Sequence, residues 1–252
     1  MLCSNFTHED NGHHTTDPHE HMNRRTFLAS TGATTMVLTG CLGGNNETNS
    51  SSDTASSSSS GGQSINSHPA ASNLAAQPRL GNLDESQHTI IAFKDPSCPR
   101  CRAFKESTVP EIKRQLINPN KGAYILRNYP VVYPWGEPAS QALEATLERS
   151  ETAHWKLQNY YYDTQRDLST ENVHAKTRTF LESNTEITAS AVIDDVDSDA
   201  YSDAVIADIN AAEEADLDGT TPSILLFRNG QYVTTATGSI SYDVIATALG
   251  EN

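Results

Sequence analysis

The sequence predicts an α/β domain: a central mixed sheet flanked by helices, with an inserted helical subdomain. Three observations predict it. The apolar run Thr89-Ile90-Ile91-Ala92-Phe93 is followed by a helical stretch and then by Ala123-Tyr124-Ile125-Leu126, and strand, helix, strand in that order is a parallel crossover unit. From Pro138 to Asn184 the apolar spacing turns helical throughout. Near the end, Ile224-Leu225-Leu226-Phe227 runs into Asn229-Gly230, the signal of a tight antiparallel hairpin.

Taken in order, Thr89 to Phe93 reads as a buried strand because it is continuously apolar rather than alternating. Cys98 to about Thr108 reads as a helix with Pro99 in its first turn, where a missing N–H costs nothing, and Pro110 kinks or interrupts it. Ala123 to Leu126 is the second strand. The insert, about 138–200, holds Ala142, Leu143, Ala145 and Leu147, then Trp155, Leu157, Tyr160 and Tyr161, then Val173, Phe180 and Leu181 after a cap at Ser169. Trp155, Tyr160, Tyr161 and Tyr162 suit a ligand platform, but aromatics at helical spacing are more often core. A helix from about Tyr201 to Ala215 returns the chain to the sheet, and a last one from about Ser241 to Leu249 is stopped by Gly250.

The domain occupies 79–252, and what precedes it reads as export machinery. Asn23-Arg24-Arg25-Thr26-Phe27-Leu28 and the mildly apolar run to Val37 resemble a twin-arginine signal, although Ala29 stands where a basic residue is usual. Leu38-Thr39-Gly40-Cys41 resembles a lipobox, which makes Cys41 the lipidated first residue of the processed chain and gives a signal with lipobox over 22–41. Residues 1–21, with Cys3 and five of the nine histidines, precede Met22 and read as a non-native or disordered extension, although such a tract can bind metal. Segment 42–78 reads as a disordered tether: 11 serines and no aromatic fall between Gly43 and Pro78, too little apolar surface to offset ordering entropy. Asn46-Glu47-Thr48 and Asn49-Ser50-Ser51 fit the N-glycosylation pattern.

Charge excludes one class of partner. With 17 basic against 32 acidic residues the net charge is −15, which argues against nucleic-acid binding. Twelve carboxylates and no Lys or Arg lie between Glu182 and Asp218. Such a surface resembles that of halophilic proteins and suggests a haloarchaeal source; an ordinary acidic, solvated face is the alternative. No Gly-x-Ser-x-Gly, phosphate-cradling Gly-rich loop or His-Glu-x-x-His occurs, against common hydrolase, nucleotide and zinc-protease functions.

The chemistry concentrates at Cys98-Pro99-Arg100-Cys101. Two cysteines with His68, His88, His154 and His174 scattered elsewhere do not make a four-ligand zinc site, and a disulfide across two residues adds little stability. No metal or cofactor is expected. A redox-active pair is the stronger reading: Cys98 opens a helix, where unpaired N–H groups and the macrodipole favour thiolate, so it is the nucleophile. Cys101, one turn in and covered by the helix, is the resolving thiol. Arg100 adds a permanent cation favouring the thiolate and hence a more oxidising disulfide, acting mainly by contact in brine, where the Debye length is about 3 Å at 1 M salt.

Ile91-Ala92-Phe93-Lys94-Asp95-Pro96-Ser97-Cys98-Pro99-Arg100-Cys101 resembles the active-site stretch of DsbA-like thioredoxin-fold proteins. Leu126-Arg127-Asn128-Tyr129-Pro130-Val131 and the helices from Pro138 are similar to that family's next strand and helical insert, and Gly219-Thr220-Thr221-Pro222-Ser223 resembles its cis-proline loop. The resemblance implies a thioredoxin-like fold, a cis Pro222 packed on the cysteines, and substrate contacts at Pro99, Thr221 and Pro222, with the Thr221 backbone pairing to an extended chain. Two departures stand out. Ala92 occupies the place of the family's buried carboxylate, leaving Asp95, Lys94 or water to move protons, and the proline loop carries an extra Thr.

These observations predict a membrane-anchored, extracytoplasmic thiol–disulfide oxidoreductase that oxidises cysteine pairs of exported proteins, and the resemblance implies reoxidation by a quinone-linked membrane partner. Export favours oxidation. A reductase or isomerase on the same fold, and a lipid-tethered peptide- or metal-binding module, are the alternatives.

Overall fold

The computed structural model describes residues 62–251. The extension, the twin-arginine and lipobox features with Cys41, and the glycosylation patterns lie outside the described residues. The fold is thioredoxin-like, built on a five-stranded mixed sheet in the order β1-β3-β2-β4-β5: β1 Arg79–Leu80, β2 His88–Lys94, β3 Gly122–Asn128, β4 Ser223–Arg228 and β5 Gln231–Thr237. β2 and β3 are parallel, with Ile91 opposite Ile125, and every other pair is antiparallel. The crossover between β2 and β3 is α1 Pro99–Ser107, α2 Val109–Ile112 and a π-helical turn at Lys113–Ile117. Pro110 explains the break, since it cannot donate into α1 and instead sits in the first turn of α2.

Alternation along the strands sorts the core into two layers. Ile90, Ala92, Tyr124, Ile224 and Leu226 face α1, α2, the π-helical turn and the final helix, α8 Tyr242–Leu249, through Phe104, Ile112, Leu116, Ile245 and Leu249. Ile91, Phe93, Ile125, Leu225 and Phe227 face the opposite layer, where Ala211 and Ala212 of α7 Ser202–Glu214 pack. The hairpin turn is the two-residue Asn229-Gly230 with positive φ of 50° and 71°, the geometry that matches strand twist. Gly250 stops α8 in the left-handed region at φ 73°.

The insert is α3 Gly136–Arg149, α4 Glu151–Asp163, α5 Val173–Asn184 and α6 Ala189–Asp197. It has its own core of Leu143, Leu157, Tyr161, Leu181 and Val192, each wholly buried or nearly so. The cap at Ser169 is displaced: α5 begins at Val173, and the Ser169 carbonyl accepts from the Asn172 and Val173 N–H groups in a preceding turn.

The ordered domain begins earlier than the sequence suggests. Residues 62–78, part of the expected tether, form short 3₁₀ turns at Ile65–Ser67, Pro69–Ala71 and Leu74–Ala76 that lie on the sheet. Ile65 N–H donates to Gly230 O and Tyr232 N–H to Gln63 O, both at 2.8 Å. Arg127 donates to Ala70 O and Ser72 O, while its guanidinium pairs at 2.9 Å with Asp208, both side chains 1% exposed. The serine count averages over a segment whose last half contains Ile65, Ala70 and Leu74, and these few apolar residues suffice because a buried cation anchors their backbone.

Candidate active site

The redox loop follows the end of β2. Cys98 caps α1 in an extended conformation, its N–H donating to Asp95 O at 3.1 Å and its sulfur accepting the Cys101 N–H at 3.4 Å. Pro99 takes the first helical position, so the N–H groups that remain at this helix start face Cys98. Its thiol is pulled down to about 6, first by the hydrogen bond from the Cys101 thiol and then by the Thr221 hydroxyl and the N–H groups of Cys101 and Arg100, against opposing burial. The Cys101 thiol is pushed the other way, well above the ordinary value, by complete burial, by donating to Cys98 and by the charge on that sulfur. Both are free thiols here.

The loop between strand and helix is held by a buried carboxylate. Asp95 Oδ1 accepts from Ser97 N–H and Ser97 Oγ, both at 2.6 Å, and Oδ2 from Val131 and Val132 N–H at 2.9 and 2.7 Å. Burial raises this carboxyl while the four donors oppose it. Gly136 permits the close approach: a Cβ there would sit 2.6 Å from Asp95 Oδ1. From the insert, Gln165 Nε2 donates to Pro96 O and Cys98 O at 2.8 and 3.0 Å, and Tyr162 OH donates to Asp95 O at 3.3 Å. The Tyr162 ring packs with Cys98 and Cys101 in one buried cluster, and Lys94 Nζ stands over that ring, 4.5 Å from its centroid. Burial brings the Lys94 amine down to about 8.

The third part is the loop before β4. The Thr221–Pro222 peptide is cis, and both residues are buried. The Cys98 thiol donates to Thr221 O at 3.3 Å, and the buried Thr221 hydroxyl acts on the same sulfur. Pro222 O accepts from Gly238 N–H at 2.8 Å, which ties the loop to the end of β5.

The Cys98–Cys101 turn therefore meets the cis Thr221–Pro222 peptide, more than 100 residues away in sequence, through the Cys98 thiol and Thr221 O. Pro99 stands exposed on the rim of an adjoining groove of about 480 Å³, lined also by Tyr133, Trp135 and Leu168. Arg100 is exposed; its backbone N–H acts on Cys98, and its guanidinium acts on Asp218, which is held low first by the Thr220 hydroxyl. The aromatic run of α4 is core rather than platform, with Tyr161 and Tyr162 buried and Tyr160 stacked on Phe180 at 4.3 Å. Sequence reasoning missed Gln165, the Asp95 cage and the place of Tyr162 against the thiols. The one available signal was the Asp-Pro-Ser step before Cys98, a turn whose carboxylate needs donors.

A family model described as Thioredoxin matches residues 74–245. A protein assigned as a protein-disulfide oxidoreductase in Rickettsia conorii is 25% identical over 170 residues, covering 68% of this chain and 58% of that relative. A protein assigned as disulfide bond formation protein D in Bacillus anthracis is 24% identical over 92 residues, 36% of this chain and 42% of that relative. The chain thus spans about half the length of these relatives. Among solved structures, oxidised BdbD of Bacillus subtilis superposes with a TM-score of 0.62 at 20% identity, over 75% of this chain and 97% of that one. A double-alanine variant of alpha-DsbA1 from Wolbachia pipientis gives 0.60 at 18%, over 73% and 96%.

Proposed function

The chain belongs to the thioredoxin family, and from that premise we propose that it is a DsbA-type thiol–disulfide oxidoreductase that donates its Cys98–Cys101 disulfide to cysteine pairs of exported proteins. The observation that carries this reading is the geometry of the pair: Cys98 caps α1 with its sulfur on the Cys101 N–H and on Thr221 O, while Cys101 lies fully buried one turn in, an arrangement that holds the first thiol low and the second high. In the oxidised protein a substrate thiolate attacks Cys98 Sγ, the Cys98–Cys101 bond breaks, and its electron pair goes to Cys101. A second substrate thiolate then attacks the mixed disulfide at the substrate sulfur and expels Cys98 as thiolate. A thiol held at about 6 is about ten parts thiolate to one part thiol at pH 7, hence a good leaving group, which favours reduced protein and makes the disulfide oxidising.

Thr221 supports the substrate role through its carbonyl. That oxygen accepts the Cys98 thiol proton here, and it is released for an extended substrate backbone once Cys98 is thiolate or disulfide. Pro99 and the groove beside it flank the approach to the sulfur. Lipid on Cys41 anchors the domain outside the cytoplasm, where oxidation is sustained and a membrane partner reoxidises the pair. The test is the reduction potential of the full chain, equilibrated with defined glutathione ratios. A value near about −120 mV supports a donor, one near about −270 mV makes the protein a reductase, and absence of exchange overturns the redox reading.

A further inference from the structure

Cys101 must lose a proton each time the disulfide closes and gain one each time it opens, yet it is completely buried. The groups around it narrow the source of that proton. Asp95 is held by four donors and cannot swing toward the sulfur without abandoning them. The phenols of Tyr124 on β3 and Tyr162 on α4 are driven far above their ordinary values, first by burial, and so hold their protons. Lys105 of α1 is paired to Asp163 at 2.5 Å, and Lys113 acts on this site only as a more distant like charge.

Lys94 remains. It ends β2 beside Asn128 of β3, is 2% exposed, and forms no ion pair among the described residues. Its amine lies over the Tyr162 ring, against which both cysteines pack. The two sulfurs are the anions that act on it, Cys101 the more strongly. A lysine buried without a carboxylate is costly, and here the groups that relieve that cost are those whose charge changes in the reaction.

We propose that Lys94 is the proton carrier for Cys101, an inference that rests on the thiol-exchange reading above. When a substrate thiolate opens the disulfide, the bond's electron pair goes to Cys101 and the Lys94 ammonium passes one proton to that sulfur. The neutral amine left behind takes a proton from solvent. On closure the neutral amine accepts the Cys101 thiol proton as that sulfur attacks the Cys98 mixed disulfide and expels the partner thiolate. The ordering of the two groups agrees with this direction: an amine brought to about 8 is a stronger acid than a thiol raised well above 9.

The test follows oxidation of the reduced full chain by oxidised glutathione in rapid-mixing experiments, which separate glutathione attack at Cys98 from closure by Cys101. In the unsubstituted chain closure should quicken with pH through an inflection near 8. In Lys94→Met it should slow about 100-fold at pH 8 and lose the inflection, while the attack phase stays within about threefold. Lys94→Arg keeps the cation but cannot release its proton and should close as slowly as Lys94→Met. Closure of either variant at the unsubstituted rate and pH profile overturns the proposal. Absence of the attack phase in the unsubstituted chain overturns the thiol-exchange reading itself. Should the variants not fold, the Lys94 amine titration by NMR decides instead: a midpoint identical in oxidised and reduced protein is incompatible with a shared proton.

Discussion

Glu144 offers a direct measure of how strongly this interior penalises charge. Its Oε1 accepts from Asn128 Nδ2 at 2.7 Å where α3 meets the sheet. Burial raises the carboxyl from 4.5 to about 7, with Asp208 acting in the same direction and the Asn128 hydrogen bond and Arg127 opposing. Because the folded value lies above the unfolded one, the stability it contributes is fully present below pH 4.5 and is lost as pH rises through about 7. The interval from 4.5 to about 7, at about 1.4 kcal/mol for each pH unit, corresponds to about 3 kcal/mol. Glu144→Gln keeps the acceptor for Asn128 and removes the charge. Weakening of that hydrogen bond takes back about 1 kcal/mol, so at pH 8 the variant should be about 2 kcal/mol more stable. For a domain of this size that is a rise in Tm of about 4–8 °C, with almost none at about pH 4. Thermal unfolding by circular dichroism at one salt concentration and both pH values measures it. An unchanged Tm at pH 8, or the same rise at both, refutes the account.

The remaining predictions address the thiols and the N-terminal turns. Cys101→Ser should accumulate mixed disulfides with exported proteins on Cys98 and Cys98→Ser should not, as read by diagonal electrophoresis; equal trapping refutes the division of roles. The ultraviolet absorbance of the reduced Cys98 thiolate should titrate with a midpoint near 6, and a midpoint above 8 would show that the helix start does not lower this thiol. Asp208→Ala strands a buried Arg127 and should cost about 3–5 kcal/mol. It should also expose residues 62–80 to limited proteolysis, since Gln77 Nε2 shares the same carboxylate at 3.0 Å; a loss under about 1 kcal/mol with unchanged cleavage contradicts the anchoring role.

What the sequence disclosed and what it hid divide along a physical line. β2, β3 and β4 are legible because strands buried on both faces are continuous apolar runs, and Asn229-Gly230 because few other residues accept two successive positive φ values. The cysteine pair is legible because its chemistry is local, set by a strand end, a proline and a helix start. β1 was not: two residues, Arg79 and Leu80, carry no period, and they pair with β3 only because the chain before them is anchored by Arg127 and Asp208. The Asp95 cage escaped for the same reason. Its donors Val131 and Val132 lie 36 and 37 residues away in sequence and offer backbone N–H groups, which every residue except proline has.

The helical insert acts on the chemistry by fixing the loop that carries Cys98. Asp95 gathers the loop from the β3 side, Gln165 grips Pro96 and Cys98 from the other, and Tyr162 closes over both sulfurs. The insert can do this because α3 to α6 share a buried core of their own, so Gln165 and Tyr162 are presented by a rigid body rather than by a lid. With the loop backbone tied on both sides, opening and closing the disulfide has little backbone motion with which to absorb the change in charge. In the proposed exchange the change falls on protons instead: on Cys98, poised to lose one, on Cys101, which holds its own, and on the buried amine proposed as carrier, that of Lys94 between the sheet and the Tyr162 ring.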